Sequence, residues 1–131
     1  IFFNKELSKD FIFLRKNGMQ LSSKMRYISA QFDAILKDEL WLSNAKNSNE
    51  MAKLLVSQIA DIESIHITQN VEANEIFAIV PRSIISELQQ KYFFYTWDEE
   101  KSEVRWVTSF DTTKEEVLSF ANEIKRLIEK K

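Results

Sequence analysis

The sequence predicts an α+β fold in which helices lie on one face of a small, mostly antiparallel sheet. The first half of the chain carries apolar residues at helical spacing, and Gly18 is its only glycine, so few sharp turns interrupt it. The second half alternates between short segments of period two, which are typical of strands, and helical segments. The last segment begins with Thr113 and Glu116, which have the spacing of a helix capping box.

Three helices are predicted in the first half. The first runs from about Lys5 to Lys16 and ends near Gly18, because glycine suits a left-handed helix cap. The second begins at about Ser22, and the third covers about Leu40 to Ile59; the pattern leaves open whether these two form one bent helix. Their apolar stripes are Met25, Ile28, Phe32, Ile35 and Leu36 on the second helix, and Trp41, Ala45, Ser48, Ala52, Leu55 and Ile59 on the third.

Two strands and a short helix are predicted next. The segment from Ser64 to Thr68 places Ile65 and Ile67 on one face, which is the period of a half-buried strand. The denser apolar run from Glu75 to Val80 predicts a second strand that Pro81 ends. A short helix is expected to follow, from about Ser83 to Gln90.

A hairpin and a final helix complete the predicted fold. Strands from Phe93 to Trp97 and from Glu103 to Ser109 flank a charged loop, so they are expected to pair as a hairpin. The final helix starts at Thr113, and positive residues near its end suit the helix dipole. Its apolar face comprises Val117, Phe120, Ala121, Ile124, Leu127 and Ile128.

Composition excludes several classes of site. Lys and Arg total 18 against 20 for Asp and Glu, so nothing demands a nucleic-acid or membrane partner. The chain has no cysteine and a single histidine, which excludes disulfides and thiolate sites and argues against any dedicated metal site. It also lacks a phosphate loop, a dinucleotide-binding turn and a nucleophile elbow. No apolar run is long enough to span a bilayer, and a cytoplasmic location fits.

The chain opens with Ile1-Phe2-Phe3 rather than with Met. This start is typical of the end of a buried strand and not of a solvated terminus. We therefore expect the chain to be cut from a longer protein.

Two polar features of the second half have ordinary interpretations. His66 alternates out of phase with Ile65 and Ile67, so it is expected to face away from their core. Asp98, Glu99 and Glu100 fall in the predicted hairpin loop, where they are expected to be solvated turn charges.

Arg105 stands in the middle of a predicted strand, between Val104 and Trp106. Central strands normally carry apolar or β-branched residues, so an arginine there needs an anionic partner or an open side. One interpretation is a planar fork that binds a carboxylate through two hydrogen bonds. The other is a solvent-facing residue that pairs with a neighbouring Glu.

A basic cluster flanks the break at Gly18. Because two predicted helix ends meet there, these residues could hold a phosphate beside a helix N-terminus. A solvated basic face is the alternative, and no aromatic stacking pattern accompanies the charges to indicate nucleic acid. The cluster comprises Arg15, Lys16, Lys24 and Arg26.

Three stretches of the chain resemble, in order and spacing, segments of one known family. They are Arg15–Arg26 continuing to Gln31, Val71–Phe77, and Tyr95–Asp98 followed by Glu103–Thr113. The resemblance is to the carboxy-terminal third of bacterial low-specificity L-threonine aldolases, which belong to the threonine aldolase and β-eliminating lyase family. It runs from Phe2 nearly to the end of the chain.

The resemblance implies the fold of aspartate aminotransferase-like enzymes, which use pyridoxal phosphate. Residues 1–20 would be the end of the large cofactor-binding domain with a connecting helix, and residues 21–131 the carboxy-terminal small domain. The lysine that forms the Schiff base would lie before Ile1, so this chain would contain no catalytic residue and would be inactive alone. The intact enzyme would cleave L-threonine and related β-hydroxy amino acids to glycine and an aldehyde.

The resemblance also implies roles for individual residues. Arg105 matches the arginine that binds the substrate α-carboxylate in this fold. Arg26 matches the arginine of a Met-Arg pair near the cofactor phosphate, Lys16 matches a preceding basic position, and Lys24 is placed with them as cofactor-binding. No metal is expected. The family forms homodimers or homotetramers with active sites shared between subunits. A separate hypothesis is a non-catalytic helical interaction domain that pairs through a face containing Trp41 and Met51.

Overall fold

The computed structural model describes residues 3–130, so the strand predicted at Ile1 and Phe2 lies outside the described residues. Phe3 belongs to no strand, and its side chain is almost fully exposed. The chain divides into two compact units between Leu40 and Trp41.

The first unit contains three helices and a short 3₁₀ turn. They are α1 (Lys5–Ser8), α2 (Phe11–Asn17) and α3 (Met25–Leu36), and the turn is Lys37–Glu39. None of residues 3–40 is buried. The single helix predicted from Lys5 to Lys16 is therefore two helices. Asp10 takes the N-cap position of α2, where this residue type is favoured, and its carbonyl accepts the first hydrogen bonds of the new helix.

The left-handed cap predicted at Gly18 is wrong. Gly18 has φ −77°, and the following residue, Met19, takes the positive φ of 53°. The Gly18 N–H donates to the carbonyl of Leu14, and the Gln20 N–H donates to the carbonyl of Arg15. The turn therefore closes one residue later than the position of the glycine predicts, and methionine bears the strained conformation.

Helices α3 and the next helix, α4 (Leu40–Ile59), are separate. At the 3₁₀ turn between them, Asp38 has φ 51° and Glu39 has φ 57°, which a continuous helix does not allow. This resolves the question that the apolar pattern left open.

The second unit is an α+β arrangement, and the predicted fold class is confirmed. Its strands form one four-stranded sheet of order β1-β2-β4-β3, in which every pairing is antiparallel. Most of α4 belongs to this unit. The remaining elements are β1 (His66–Ile67), β2 (Glu75–Ile79), α5 (Arg82–Gln89), β3 (Tyr95–Asp98), β4 (Glu103–Val107) and α6 (Lys114–Glu129).

The hydrophobic core lies between one face of the sheet and helices α4, α5 and α6. Ile76 and Ala78 of β2 and Val104 and Trp106 of β4 point into it, because alternate residues of a strand face the same side. The helices contribute Ala52, Leu55, Ile59, Ile84, Ile85, Leu88, Val117, Ala121, Ile124 and Leu127. The opposite face of the sheet carries the partly exposed residues.

Of the two predicted apolar stripes, the stripe on α4 is buried in part and the stripe on α3 is exposed. On α4, Ser48, Ala52, Leu55 and Ile59 are buried, as predicted, whereas Trp41 and Ala45 are exposed. On α3 the whole predicted stripe is exposed within residues 3–130. Helical spacing predicts which side chains share a face, but it does not say whether another element covers that face.

The final helix follows the prediction closely. Thr113 Oγ1 accepts from the Glu116 N–H at 3.2 Å, and the Glu116 carboxylate accepts from the Thr113 N–H at 2.8 Å, so the capping box is complete. Val117, Ala121, Ile124 and Leu127 are buried, and Phe120 and Ile128 pack partly buried against the core.

Candidate functional site

Arg105 lies on the open face of the sheet, opposite the helices. Its register partners are Phe77 on β2 and Tyr95 on β3, which place it in the middle of three paired strands. Glu75 lies on the same face because it alternates with the buried Ile76, and Trp97 lies there too, since it contacts Arg105 and Phe77. The sequence therefore predicted correctly that a charged side chain stands within a central strand.

The Arg105 side chain is held by two neighbours. Its Nη2 donates to Oε1 of Glu75 in an ion pair, with the Arg105 and Glu75 side chains 29% and 39% exposed. Its guanidinium carbon lies 5.7 Å from the ring centroid of Trp97, within the range of a cation–π contact. Trp97 in turn packs edge-to-face on Phe77, with ring centroids 5.4 Å apart.

These contacts bear on the two interpretations of Arg105. The neighbouring Glu predicted by the second interpretation is present, and it is Glu75. Nε of Arg105 is nevertheless buried and has no hydrogen-bond partner among residues 3–130. The hydrogen bond to Glu75 uses Nη2 alone, so the partly exposed guanidinium has further N–H donors, although Nε itself is shielded from solvent.

Hydrogen bonds of Asn74 and Thr108 join the start of β2 to the end of β4. Asn74 Nδ2 donates to the carbonyl of Thr108 at 2.7 Å, and the Thr108 N–H donates to the carbonyl of Asn74 at 3.0 Å. Thr108 Oγ1 also donates to the carbonyl of Ser48 on α4 at 2.7 Å, in a buried position. The start of β2, the end of β4 and one helix are therefore held together, which sets the spacing of Glu75 and Arg105.

The β3–β4 turn is closed by the Asp98 carboxylate. It accepts from the N–H groups of Glu100 and Lys101, both at 3.0 Å, and pairs with Nζ of Lys101 at 3.2 Å. The backbone hydrogen bond from Lys101 is the largest of the causes that lower the pKa of Asp98 below its usual value. Glu99 and Glu100 are exposed, as predicted for turn charges.

His66 is exposed at the edge strand β1 and pairs with Ile79, while Ile65 is buried. Its predicted orientation away from the core is confirmed. Among residues 3–130 no group of acidic and histidine side chains is arranged to hold a metal ion. Within the same residues, no helix combines the length and the apolar character needed to cross a membrane.

The basic residues predicted to bind the cofactor lie in helix α2 and at the start of α3. Lys16 lies near the end of α2, Lys24 is the N-cap of α3, and Arg26 lies in the first turn. All three side chains are exposed, and none forms a salt bridge within residues 3–130. No side chain caps α3 by hydrogen bonding; the Tyr27 N–H donates to the carbonyl of Lys24, and the N–H groups of Met25 and Arg26 have no intrahelical partner.

A cavity of about 580 Å³ lies elsewhere in the second unit. Its walls include Phe94, Trp106 and Phe120, with Glu115 and Glu116 among the polar residues. Trp106 points to the core side of β4, whereas Arg105 points to the opposite side. The cavity is therefore not part of the site around Arg105, and the sequence motifs did not indicate it.

Sequence reasoning identified Arg105 but missed its surroundings. Glu75 and Phe77 alternate on β2, and Tyr95 and Trp97 alternate on β3, so each pair could have been assigned to one face. Which strands lie beside β4 depends on the sheet order, and the hairpin alone predicts β3 as a neighbour. Glu75 and Arg105 are 30 residues apart in the sequence, so no local pattern predicts their contact.

Comparisons with known proteins agree with the resemblance found in the sequence. The chain is 35% identical over 126 residues to a low specificity L-threonine aldolase of Pseudomonas aeruginosa, covering 95% of this chain and 36% of that protein. It is 35% identical over 129 residues to one from Pseudomonas sp. strain NCIMB 10558, covering 98% of this chain and 37% of that protein. No family model matches.

A solved structure of Leishmania major threonine aldolase matches with a TM-score of 0.68 and 28% identity. It covers 75% of this chain and 29% of that one, so the predicted fold relationship is confirmed. The chain spans little more than a third of the length of the curated relatives. Over almost its whole length, therefore, the chain is similar to part of the low specificity L-threonine aldolases.

Proposed function

We propose that this chain is part of a pyridoxal-phosphate-dependent aldehyde-lyase that cleaves L-threonine and related β-hydroxy amino acids to glycine and an aldehyde. The observation that carries this proposal is the 35% identity to two low specificity L-threonine aldolases over almost the whole chain. The amino acid substrate is a small molecule, and a cytoplasmic location accords with it.

Arg105 is proposed to bind the α-carboxylate of the substrate. A guanidinium fork matches a carboxylate with two parallel hydrogen bonds, which fixes orientation as well as position. The open face of the sheet leaves the Arg105 side chain partly exposed, and its hydrogen bond to Glu75 uses Nη2 alone. The neighbouring ring of Trp97 lies within cation–π distance of the guanidinium and would help to hold it in place.

The cations at the start of α3 fit the phosphate of the proposed cofactor. Arg26 and Lys24 would hold it together with the N–H groups of the first turn, and Lys16 would add positive charge. Their lack of internal salt-bridge partners supports this assignment. When bound, pyridoxal phosphate supplies an electron sink for the breaking Cα–Cβ bond. The residues of this chain contribute binding and orientation.

The division of the intact enzyme is proposed to follow the family. Residues 1–20 would belong to the large domain and residues 21–131 to the small domain. This proposed boundary differs from the division between the two compact units of the chain, which falls between Leu40 and Trp41. A homodimer or homotetramer with shared active sites is proposed on the same basis.

Arg105 provides the test of the proposal, in a protein that also contains the part of the relatives that this chain does not span. Arg105→Gln should lower kcat/KM for L-threonine by about 10- to 150-fold, because hydrogen bonds to charged groups are worth about 1.5–3 kcal/mol. Arg105→Lys should recover only part of the loss, since an ammonium lacks the planar fork.

Arg82 offers a matched control. It is another arginine of the second unit, with a side chain that is 73% exposed and lies 4.0 Å from Glu99. Arg82→Gln should leave kcat/KM unchanged. If Arg105→Gln cleaves L-threonine as well as Arg82→Gln does, Arg105 does not bind the substrate carboxylate. If the parent protein does not cleave threonine at all, the proposed activity itself is wrong.

The alternative function, a non-catalytic interaction domain, has a different test. Trp41 is about half-exposed, whereas Met51 packs partly buried against the core of the second unit. Sedimentation of this chain with and without pyridoxal phosphate should distinguish the two functions. Self-association that Trp41→Ala abolishes would favour the interaction domain, and a monomer that Trp41→Ala leaves unchanged would count against it.

A further inference from the structure

The Arg105 guanidinium donates one hydrogen bond within residues 3–130, and the acceptor is the carboxylate of Glu75. An arginine has five N–H donors, and a carboxylate normally takes two of them in parallel. Here Nη2 alone is used, and Nε has no partner. The pair is therefore a single-contact ion pair that leaves the fork incompletely used.

The position of Glu75 explains this geometry. Across the ladder Glu75 is paired with Val107, while Arg105 is paired with Phe77, so the two side chains meet diagonally. Both remain partly exposed, at 39% and 29%. A glutamate at the end of a strand, with water on one side, can leave such a contact by rotating into solvent at little cost.

The acid on the same strand as Arg105 already has a hydrogen-bond partner. Glu103 is buried to 9% exposure, and its Oε1 accepts from Oγ1 of Thr68 at 2.5 Å. It forms no salt bridge with Arg105. Among the acids of β2 and β4, Glu75 is thus the carboxylate that competes for the guanidinium.

We propose that Glu75 is an internal stand-in for the substrate carboxylate, which holds Arg105 in place until a substrate displaces it. This inference rests on the proposed role of Arg105. In the unliganded state Glu75 keeps the guanidinium beside Trp97 and prevents an unpaired charge. On binding, the incoming carboxylate takes the bidentate position and Glu75 turns to water. Glu75 is accordingly a positioning residue that sets substrate affinity.

The consequence is specific: removing the charge of Glu75 should tighten carboxylate binding. A merely structural role predicts the opposite, because a variant that disturbs the strand weakens the site. Acetate serves as the probe for this chain, at constant ionic strength balanced with chloride. Binding is followed by the change in fluorescence of Trp97, and Trp97→Phe identifies the contribution of that ring among the three tryptophans.

Glu75→Gln should raise the association constant for acetate about two- to fivefold, which corresponds to an ion pair between partly exposed groups. Glu72→Gln is the matched control, since Glu72 is an exposed acid close by in sequence. It should bind acetate as the parent chain does. Arg105→Gln should abolish the saturable signal. Far-UV circular dichroism confirms that each variant is folded.

The outcomes separate this inference from the proposed function. If Glu75→Gln binds acetate no more tightly than Glu72→Gln, while Arg105→Gln still abolishes binding, the stand-in role is wrong and the role of Arg105 stands. If no variant shows Arg105-dependent binding, the inference is also overturned, and threonine cleavage by the Arg105 variants decides the proposed function separately. A lower KM for threonine in Glu75→Gln, with no matching change in kcat, would support displacement in the intact enzyme.

Discussion

At the scale of single residues, the sequence indicates which side chain is a candidate site residue better than it indicates which residues contact that side chain. Arg105 was identifiable because a guanidinium within a central strand violates the usual preference of strands. Its ion pair with Glu75 was predicted as a type of contact, but not as a contact with this residue. Pairing between β2 and β4 joins segments about 30 residues apart, and local periodicity contains no information on such pairing.

Met19 shows a different limit at this scale. Glycine is the usual residue for a positive φ, so Gly18 was the natural candidate for the left-handed position. The structure assigns that conformation to Met19 instead. The predicted position, Gly18, and the observed one, Met19, belong to the same turn. They differ by one residue because the last hydrogen bonds of a helix can close at either position.

Ile124 tests the core at the same scale. It is fully buried in α6, so Ile124→Ala should lower the free energy of unfolding by about 2–5 kcal/mol. Ile128→Ala, one turn later on the same face and only partly buried, should cost clearly less. Urea unfolding with a common m-value measures both. Equal losses at the two positions would contradict the burial described for α6.

At the scale of elements, prediction succeeded where the signals were local. The capping box, the apolar face of α6 and the β3–β4 hairpin each depend on residues close in sequence, and all three are observed. Coverage of an apolar face depends on other elements. For this reason the stripe of α3 was predicted correctly as a stripe, although its side chains are exposed within the described residues.

Thr113 carries the start of α6. Thr113→Ala removes the acceptor for the Glu116 N–H, and the free energy of unfolding should fall by about 1 kcal/mol, within a range of about 0.5–2 kcal/mol. Thr113→Ser keeps the hydroxyl and should be close to the parent chain. Thermal unfolding followed by circular dichroism compares them. An alanine variant as stable as the serine variant would show that the cap contributes nothing.

Glu123 links α6 to the end of α5 in a pH-dependent manner. Its carboxylate accepts two hydrogen bonds from Arg126 at 2.8 Å and one from Lys91 at 2.5 Å. The bonds from Arg126, followed by that from Lys91, lower the pKa of Glu123 from 4.5 to about 2. Because the folded state has the lower pKa, this contribution to stability is complete above pH 4.5 and is lost as the pH falls towards 2.

The corresponding measurement compares the free energy of unfolding of the parent chain and Glu123→Gln. The difference should be constant near neutral pH and should shrink between pH 4.5 and pH 2. In an Arg126→Gln background, which removes the largest cause of the lowered pKa, the dependence should be weaker. A difference that is the same at both ends of that interval would refute the assignment.

At the scale of the whole molecule, the buried core is confined to one unit. The buried apolar residues run from Ala52 to Leu127, and residues 3–40 contain none. The sequence could not predict this asymmetry, since both halves carry apolar residues in abundance and with regular spacing. Burial depends on which faces meet in space, and amphipathic spacing supplies only the faces.

Because the buried core lies in the second unit, we predict that the two units behave differently when they are separated. A chain of residues 41–131 should fold on its own and keep the stability of the 131-residue chain to within about 0.5 kcal/mol, because none of residues 3–40 is buried. A peptide of residues 1–40 should be largely unfolded, because its helices have at most 12 residues and isolated helices of that length are marginal in water.

Urea unfolding of the longer piece and far-UV circular dichroism of the peptide, both at low concentration, measure the two outcomes. Cooperative unfolding of residues 41–131 with an m-value matching its size would place the folding determinants in the sheet and helices α4 to α6. Substantial helix in the isolated peptide, or loss of cooperative unfolding in residues 41–131, would mean that stability does not follow the buried core. The residues around α3 would then contribute to folding through contacts that exposure does not reveal.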